Sequence, residues 1–168
     1  FTVMPRGTAQ IFAAGPPVVE RALAQAVDKE ALGGAGVAVG VGGTIHNAAS
    51  DEADALGQIR QFLEFMPQNV WELPPLGHAD DPVGRREEEL LAIVPRRRSR
   101  AYDMRRIISL VADAGSVFEI RPSFGRSVVT ALARLGGHPV GIVANNPMHL
   151  GGAIDARAAR KQLHFMDL

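Results

Sequence analysis

Three stretches of the chain hold groups that could do chemistry. The first, Gly33 to Gly43, reads GGAGVAVGVGG, with six glycines in eleven residues, and His46 follows it closely. Glycine leaves no side chain in the way, so such a stretch offers an extended ligand a backbone surface to approach. The competing reading is a mobile or hairpin-like connection. A dinucleotide fingerprint does not fit, because Gly34-Ala35-Gly36 is followed by Val39 where a third glycine is needed, and no Lys-Ser/Thr ending marks a phosphate loop. The second stretch is Asn145-Asn146-Pro147, where an apolar run stops and two carboxamides could hydrogen-bond a polar ligand or simply form a turn. The third, Arg96-Arg97-Arg98-Ser99-Arg100, could meet phosphate or be a solvated charge run. Gly33, Gly34, Gly43, His46, Asn145 and Asn146 are the candidate ligand-binding positions.

The remaining chemistry is narrower. His46, His78, His138, His149 and His164 show no i,i+4 pairing and no carboxylate at ligand spacing, so no metal site is expected. His46 reads either as a hydrogen-bonding structural histidine or as a site residue. No G-x-S-x-G elbow and no Ser/His/Asp set is evident, and the absence of cysteine removes a thiolate nucleophile, thiolate metal ligands and disulfides. No catalytic side chain can be named.

Composition bounds the rest. At 168 residues and 46% hydrophobic content the chain is globular material with a sizeable core. Zero formal net charge argues against nucleic acid or an anionic membrane as partner. No apolar run approaches the ~20 residues of a membrane span. The lack of cysteine fits a reducing compartment, and a cytoplasmic setting is expected.

The elements that must position these groups follow from pattern. Phe1–Met4 is strand-like. Pro16 and Pro17 open a helix running through Val18–Ala26, and Asp28–Leu32 adds a helical turn closed by Gly33-Gly34. Ser50 with Asp51, Glu52 and Asp54 starts an acid-headed helix whose Leu56, Ile59, Leu63 and Met66 share one face before Pro67. Five prolines from Pro67 to Pro95 and dense charge mark Gln68–Arg100 as a crossing segment, with a short helical turn near Glu87–Ala92. A helix is expected over Asp103–Ala112, then an extended piece at Val117–Arg121. Ser127–Leu135 and Pro139–Ala144 flank Gly136-Gly137-His138 as a hairpin, and Val140–Ala144, with no polar alternation, reads as a strand buried on both faces. A final helix spans Asp155–Met166, with Ala159, Leu163 and Met166 on one side. The open strand and helix at the two ends read as a piece of something larger.

Taken in order, these stretches resemble the carboxyltransferase (beta) subunit of biotin-dependent acyl-CoA carboxylases, the propionyl-, methylcrotonyl- and acetyl-CoA carboxylase group. Gly15-Pro16 with Val18-Val19 is similar to T-G-P-x-V-V, and Glu30–Ala35 to E-E-L-G-G-A. Gly43-Thr44-Ile45-His46 stands where the family has S-G-x-A-H. Ile93-Val94-Pro95, Ala101–Met104, Phe118-Glu119-Ile120, Ala133-Arg134-Leu135 and Val140–Pro147 continue the likeness, the last carrying G-I-V-x-N-x-P.

The resemblance implies an α/β, crotonase-like fold of β-β-α units. Residues 1–67 would end an acyl-CoA-side unit, 68–101 would cross, and 102–168 would open a biotin-side unit. It implies carboxylate transfer from carboxybiotin to the α carbon of an acyl-CoA, with biotin carried on a partner biotin carboxylase/biotin carboxyl carrier subunit, in a dimer-based homo-oligomer, a hexamer in the intact protein. Enolate and biotin oxyanions are stabilised in such enzymes by preorganised backbone N–H pairs. The family places those in a G-G-A-R segment before the position of Phe1 and a G-G-A segment beyond that of Leu168. Gly33-Gly34-Ala35 and Gly151-Gly152-Ala153 only look similar, and Gly42 and Ile45 replace the family's Ser and Ala. The chain is therefore expected to be inactive alone. A biotin-dependent decarboxylase of the same fold and a non-catalytic CoA-binding or assembly module are the alternatives.

Overall fold

A computed structural model describes residues 1–77, 81–82, 84–97 and 99–168. His78 and Arg98, named above, lie outside the described residues. The chain divides into two compact units, Phe1–Arg60 and Gln61–Leu168.

In the first unit, strand β1 (Val3–Pro5) pairs in parallel with β2 (Asn47–Ala49), Met4 opposite Ala48. A parallel pair cannot be closed by a tight turn, so everything between is crossover. Helix α1 (Pro16–Leu23) opens on its two prolines, where a missing N–H costs nothing, and ends on Ala24 at φ 53. Helix α2 (Lys29–Gly33) is capped by Asp28, whose carboxylate accepts the Ala31 amide at 2.8 Å.

The glycine stretch is not the mobile or hairpin-like connection that its composition also suggested. Residues Gly36–Val41 form a π-helical turn in which the Gly42 N–H donates to the Val37 carbonyl at 2.8 Å. Its Ala38 and Val39 are buried with Ala35 and Met4 in the core of this unit, and Ala9, Ile45 and Ala48 pack around them. Burial of that small apolar face outweighs the conformational freedom of the neighbouring glycines. Helix α3 (Glu52–Leu63) begins where Asp51 accepts the Asp54 amide at 2.8 Å. It buries Ala55, whereas Leu56, Ile59 and Leu63 of the expected stripe stay exposed.

In the second unit, helix α4 (Met104–Val111) is capped by the Asp103 carboxylate, which accepts the Arg105 amide at 2.9 Å, and it buries Ile108 and Leu110. Strands β3 (Phe118–Glu119), β4 (Val128–Leu135) and β5 (His138–Asn145) form an antiparallel sheet in the order β3-β4-β5. The hairpin turn is the two residues Gly136 and Gly137, at φ 57 and 80, which only glycine adopts without strain. Both turn amides donate to the Asp113 carboxylate, at 2.8 and 2.7 Å.

The burial of the hairpin corrects the sequence expectation. The central strand β4 is the buried one, with Val128, Val129, Thr130, Ala131 and Ala133 enclosed. Strand β5 is the sheet edge, and no residue of it is fully buried. Continuous apolar composition marked β5 as an inner strand, but pairing on one side only leaves it half-covered. Helix α5 (Ala156–Met166), capped by Asp155, packs on β4 and completes a β-β-α unit. Its buried residues are Ala158 and Lys161, while Leu163 and Met166 of the expected apolar side are exposed.

Candidate functional site

The candidates in the first unit sit at two attachments. Gly33 and Gly34 are buried at the end of α2. The Gly33 carbonyl accepts the Ile11 amide at 2.8 Å, and a Cβ on Gly33 would lie 2.1 Å from the Ile11 carbonyl oxygen. A Cβ on Gly34 would meet the Glu30 carboxylate. Close approach of the Ile11 backbone therefore requires glycine at 33, whereas the neighbour at 34 is the end of a flexible side chain.

Gly43 is buried at φ 64 and ends the helical turn; beyond it the Ala38 carbonyl accepts the amides of Thr44 and Ile45 and the Thr44 hydroxyl. His46 is half-buried. Its Nδ1 accepts the Thr2 N–H at 2.9 Å, and its own N–H donates to Thr2 Oγ1 at 3.0 Å. With Nδ1 an acceptor, a neutral imidazole carries its proton on Nε2. The ring stacks on Phe1, centroids 5.7 Å apart. So Gly33 is held from Ile11 and His46 from Thr2, at different places on the unit.

Asn145 and Asn146, adjacent in sequence, are treated very differently. Asn145 is exposed and its carboxamide makes no hydrogen bond among the described residues. The Gly152 backbone packs against it, since a Cβ there would stand 3.0 Å from Asn145 Nδ2. Asn146 is fully buried. Its Nδ2 donates to the Arg126 carbonyl at 2.9 Å, its amide donates to the Ser127 carbonyl at 2.7 Å, and its Oδ1 accepts the Met148 amide at 3.3 Å. Asn145 thus offers a free donor and acceptor, while Asn146 holds the turn that presents it.

Behind this edge lies a group of cations that the sequence reading did not single out. Arg105 makes a two-pronged pair with Glu119, both contacts 2.7 Å, which holds its guanidinium above the ordinary arginine range. Arg121 is buried at φ 58, its guanidinium 6.0 Å from the Phe124 ring, and burial depresses its pKa. Lys161 is fully buried and donates to the Val128 carbonyl at 2.7 Å. Burial pulls its ammonium down to about 8; Glu119 opposes this, and Arg105 and Arg121 add to it. His149 is likewise lowered by burial and by the nearby Arg126 and Arg105. A lysine three residues from Ala158 on a mostly polar helix is the one signal that could have revealed the buried face of α5.

A recess of about 850 Å³ in the second unit is at the other end of the hairpin, lined among others by Asp81, Arg85, Leu110, Asp113, Leu135 and Gly136. Within it Arg85 pairs to Asp81 at 2.9 Å and Glu87 at 2.8 Å, and Asp113 is bonded to the turn. The eight-residue length of β5 separates it from Asn145 by roughly 24 Å. Among the described residues no group of three His, Cys, Asp or Glu gathers as a metal-holding set. No helix of the described residues is long and apolar enough to cross a membrane.

The two units and their β-β-α ending define a crotonase-like α/β fold of the carboxyltransferase kind. A solved transcarboxylase 12S, with hydrolysed methylmalonyl-coenzyme A bound, superposes with a TM-score of 0.91 at 33% identity, covering 97% of this chain and 32% of that one. A single-chain, multi-domain long-chain acyl-CoA carboxylase gives a TM-score of 0.75 at 37% identity, covering 99% of this chain and 16% of that one. The chain belongs to the carboxyl transferase domain family, whose model matches residues 1–168. It is 37% identical to the mitochondrial propionyl-CoA carboxylase beta chain of Mus musculus, over 99% of this chain and 31% of that protein. It is 36% identical to the methylmalonyl-CoA decarboxylase subunit alpha of Veillonella parvula, over 99% of this chain and 33% of that protein. The chain spans about a third of the length of these curated relatives.

Proposed function

We propose that this chain is part of a biotin-dependent acyl-CoA carboxyltransferase, which moves carboxylate from carboxybiotin to the α carbon of an acyl-CoA. The observation that carries the reading is the superposition of 97% of the chain on transcarboxylase 12S, a protein solved with hydrolysed methylmalonyl-coenzyme A bound. Residues 1–67 form the end of the acyl-CoA side, 68–101 the crossing, and 102–168 the opening of the biotin side. Gly33, Gly34, Gly43 and His46 line the acyl-CoA approach. Asn145 meets the ureido ring of biotin, a neutral group with both donors and acceptors that suits a free carboxamide. Asn146 holds that carboxamide in place.

No catalytic side chain is assigned, because the chemistry is charge stabilisation of an enolate by fixed N–H dipoles. The biotin arrives on a biotin carboxylase/biotin carboxyl carrier partner, in a cytoplasmic homo-oligomer; a hexamer is supported by the assembly described for transcarboxylase 12S. The reverse reaction, decarboxylation of an acyl-CoA onto biotin, is a second reading supported by the 36% identity to the decarboxylase alpha subunit.

Calorimetric titration of the chain with an acyl-CoA, and separately with biotin, tests the proposal. Saturable binding of each is expected, with no methylmalonyl- or malonyl-CoA formed from acyl-CoA and carboxybiotin. Binding of neither ligand would remove the reading. Measurable turnover would refute the statement that residues 1–168 supply no catalytic donors. The direction is read by supplying methylmalonyl-CoA and free biotin to the intact enzyme and measuring carboxybiotin.

A further inference from the structure

Four consecutive residues lead from the β3 side of the sheet into β4, and each is held from outside. Gly125, at φ 53, lies directly against helix α5: a Cβ there would stand 2.9 Å from the Arg157 carbonyl oxygen and 3.0 Å from the Ala158 backbone. The carbonyl of Arg126 accepts the Asn146 carboxamide at 2.9 Å, and that of Ser127 accepts the Asn146 amide at 2.7 Å. The carbonyl of Val128 accepts the Lys161 ammonium at 2.7 Å. Val128 is in turn the residue opposite Asn145 in the strand pair. One buried cation therefore joins helix α5 to the strand residue facing the free carboxamide.

We propose that Lys161 is a positioning residue, which through Val128 fixes where the Asn145 carboxamide stands relative to helix α5. This rests on the reading of that edge as biotin-facing. The physical reason is the cost of the arrangement. A fully buried ammonium is tolerated only for a strong compensating contact, and a methionine would fill the same space without that cost. What methionine lacks is a donor for the Val128 carbonyl. Asn146 bonds the carbonyls of residues 126 and 127 directly, and Lys161 bonds that of Val128, the residue opposite Asn145 in the strand register. The charged groups around it are Glu119 of β3, Arg105 of α4 and Arg121 beyond β3, and its partner carbonyl is on β4.

The test uses the whole chain with Lys161→Met and Lys161→Arg, the latter keeping a charged donor. Native-state hydrogen exchange is read first. Lys161→Met is expected to speed exchange of the Asn146 amide at least about tenfold, with the Gly77 amide, held at the far end of the hairpin, unchanged. No change, or equal acceleration at both amides, would overturn the positioning role. Biotin titration followed by NMR at the Asn145 and Asn146 side-chain amides is read second. Affinity is expected to fall about tenfold in Lys161→Met and to recover in Lys161→Arg. Equal affinity in all three proteins would overturn the link to the site. No response to biotin in the unsubstituted chain would overturn the biotin-facing reading itself, and the exchange result then decides alone whether Lys161 sets this edge.

Discussion

The Arg134 guanidinium lies 5.0 Å from the centroid of the Phe65 ring and, from that position, donates to three main-chain carbonyls. Glu64 receives it at 2.6 Å, and Pro75 and Gly137 at 2.9 Å each. The planar fork of arginine can serve three oxygens at once, which an ammonium cannot do in the same geometry. The segment entering from α3 is thereby fastened to the tip of the β4–β5 hairpin, and the Gly77 amide adds a bond to the Gly137 carbonyl at 2.9 Å.

Arg134→Met should therefore destabilise the second unit by about 2 kcal/mol, since the half-exposed carbonyls recover part of the loss from water. Arg134→Lys should recover less than half of that. Urea unfolding midpoints measure both, and faster exchange at the Gly77 amide should accompany them. A lysine variant as stable as the parent would show that charge, and not the fork, matters.

Two glycines in one stretch should respond in opposite ways to a single methyl. Gly33→Ala drives its Cβ onto the Ile11 carbonyl and should cost about 2–3 kcal/mol. Gly36→Ala meets open space within a helical turn and should stabilise by about 0.5–1 kcal/mol. Chemical unfolding of the two variants side by side decides whether close approach or freedom governs this stretch. Equal effects would reject the distinction.

Two buried hydroxyls three residues apart differ in the same manner. The Ser127 hydroxyl is buried without a hydrogen-bond partner among the described residues, whereas Thr130 Oγ1 donates to the Ile120 carbonyl at 2.7 Å. Ser127→Ala should be neutral or stabilising by up to about 1 kcal/mol, and Thr130→Val should cost about 1–2 kcal/mol. Thermal unfolding measures both, and a destabilised Ser127→Ala would mean that the hydroxyl does have a partner.

The buried ammonium of Lys161 makes stability depend on pH in an unusual direction. Its ordinary value is 10.5 and its folded value about 8. Below about pH 8 it is charged in both states, and the folded state bears the full burial cost. Between about 8 and 10.5 the folded state releases the proton first, so stability rises with pH on this group's account, by at most on the order of 2–3 kcal/mol. The melting temperature of the parent minus that of Lys161→Met should accordingly increase from pH 7.5 to 10. A difference that stays flat would mean the lysine titrates at its ordinary value.

Local signals in the sequence carried much of this architecture, because they depend on neighbours in the chain. The helix starts at Asp28, Asp103 and Asp155, the prolines opening α1 and the Gly136-Gly137 turn are of this kind. The failures came where distant partners decide. Val140–Ala144 has the composition of an inner strand but occupies an edge, since composition says nothing about how many neighbours a strand has. Lys161 lies inside because the Val128 carbonyl awaits it 33 residues away. The glycine stretch folded as a π-helical turn because Met4 and Ala48 supply the apolar surface that its alanines and valine cover. Of the candidate site residues, Asn145 and Asn146 were legible as a pair, but their division into a free group and a structural one required the Arg126 and Ser127 carbonyls.

The parallel pairing of Val3–Pro5 with Asn47–Ala49 sets an order of events in time. A hairpin closed by two glycines can zip within microseconds, but strands 44 residues apart cannot meet until the helices and the π-helical turn between them have condensed. The β4–β5 hairpin, although later in the chain, should be protected before β1 and β2 in a pulse-labelled refolding experiment, and simultaneous protection would contradict that order. Until the first unit's sheet closes, the imidazole of His46 has no Thr2 to hold it, so that unit's candidate binding surface is among the last things the molecule acquires.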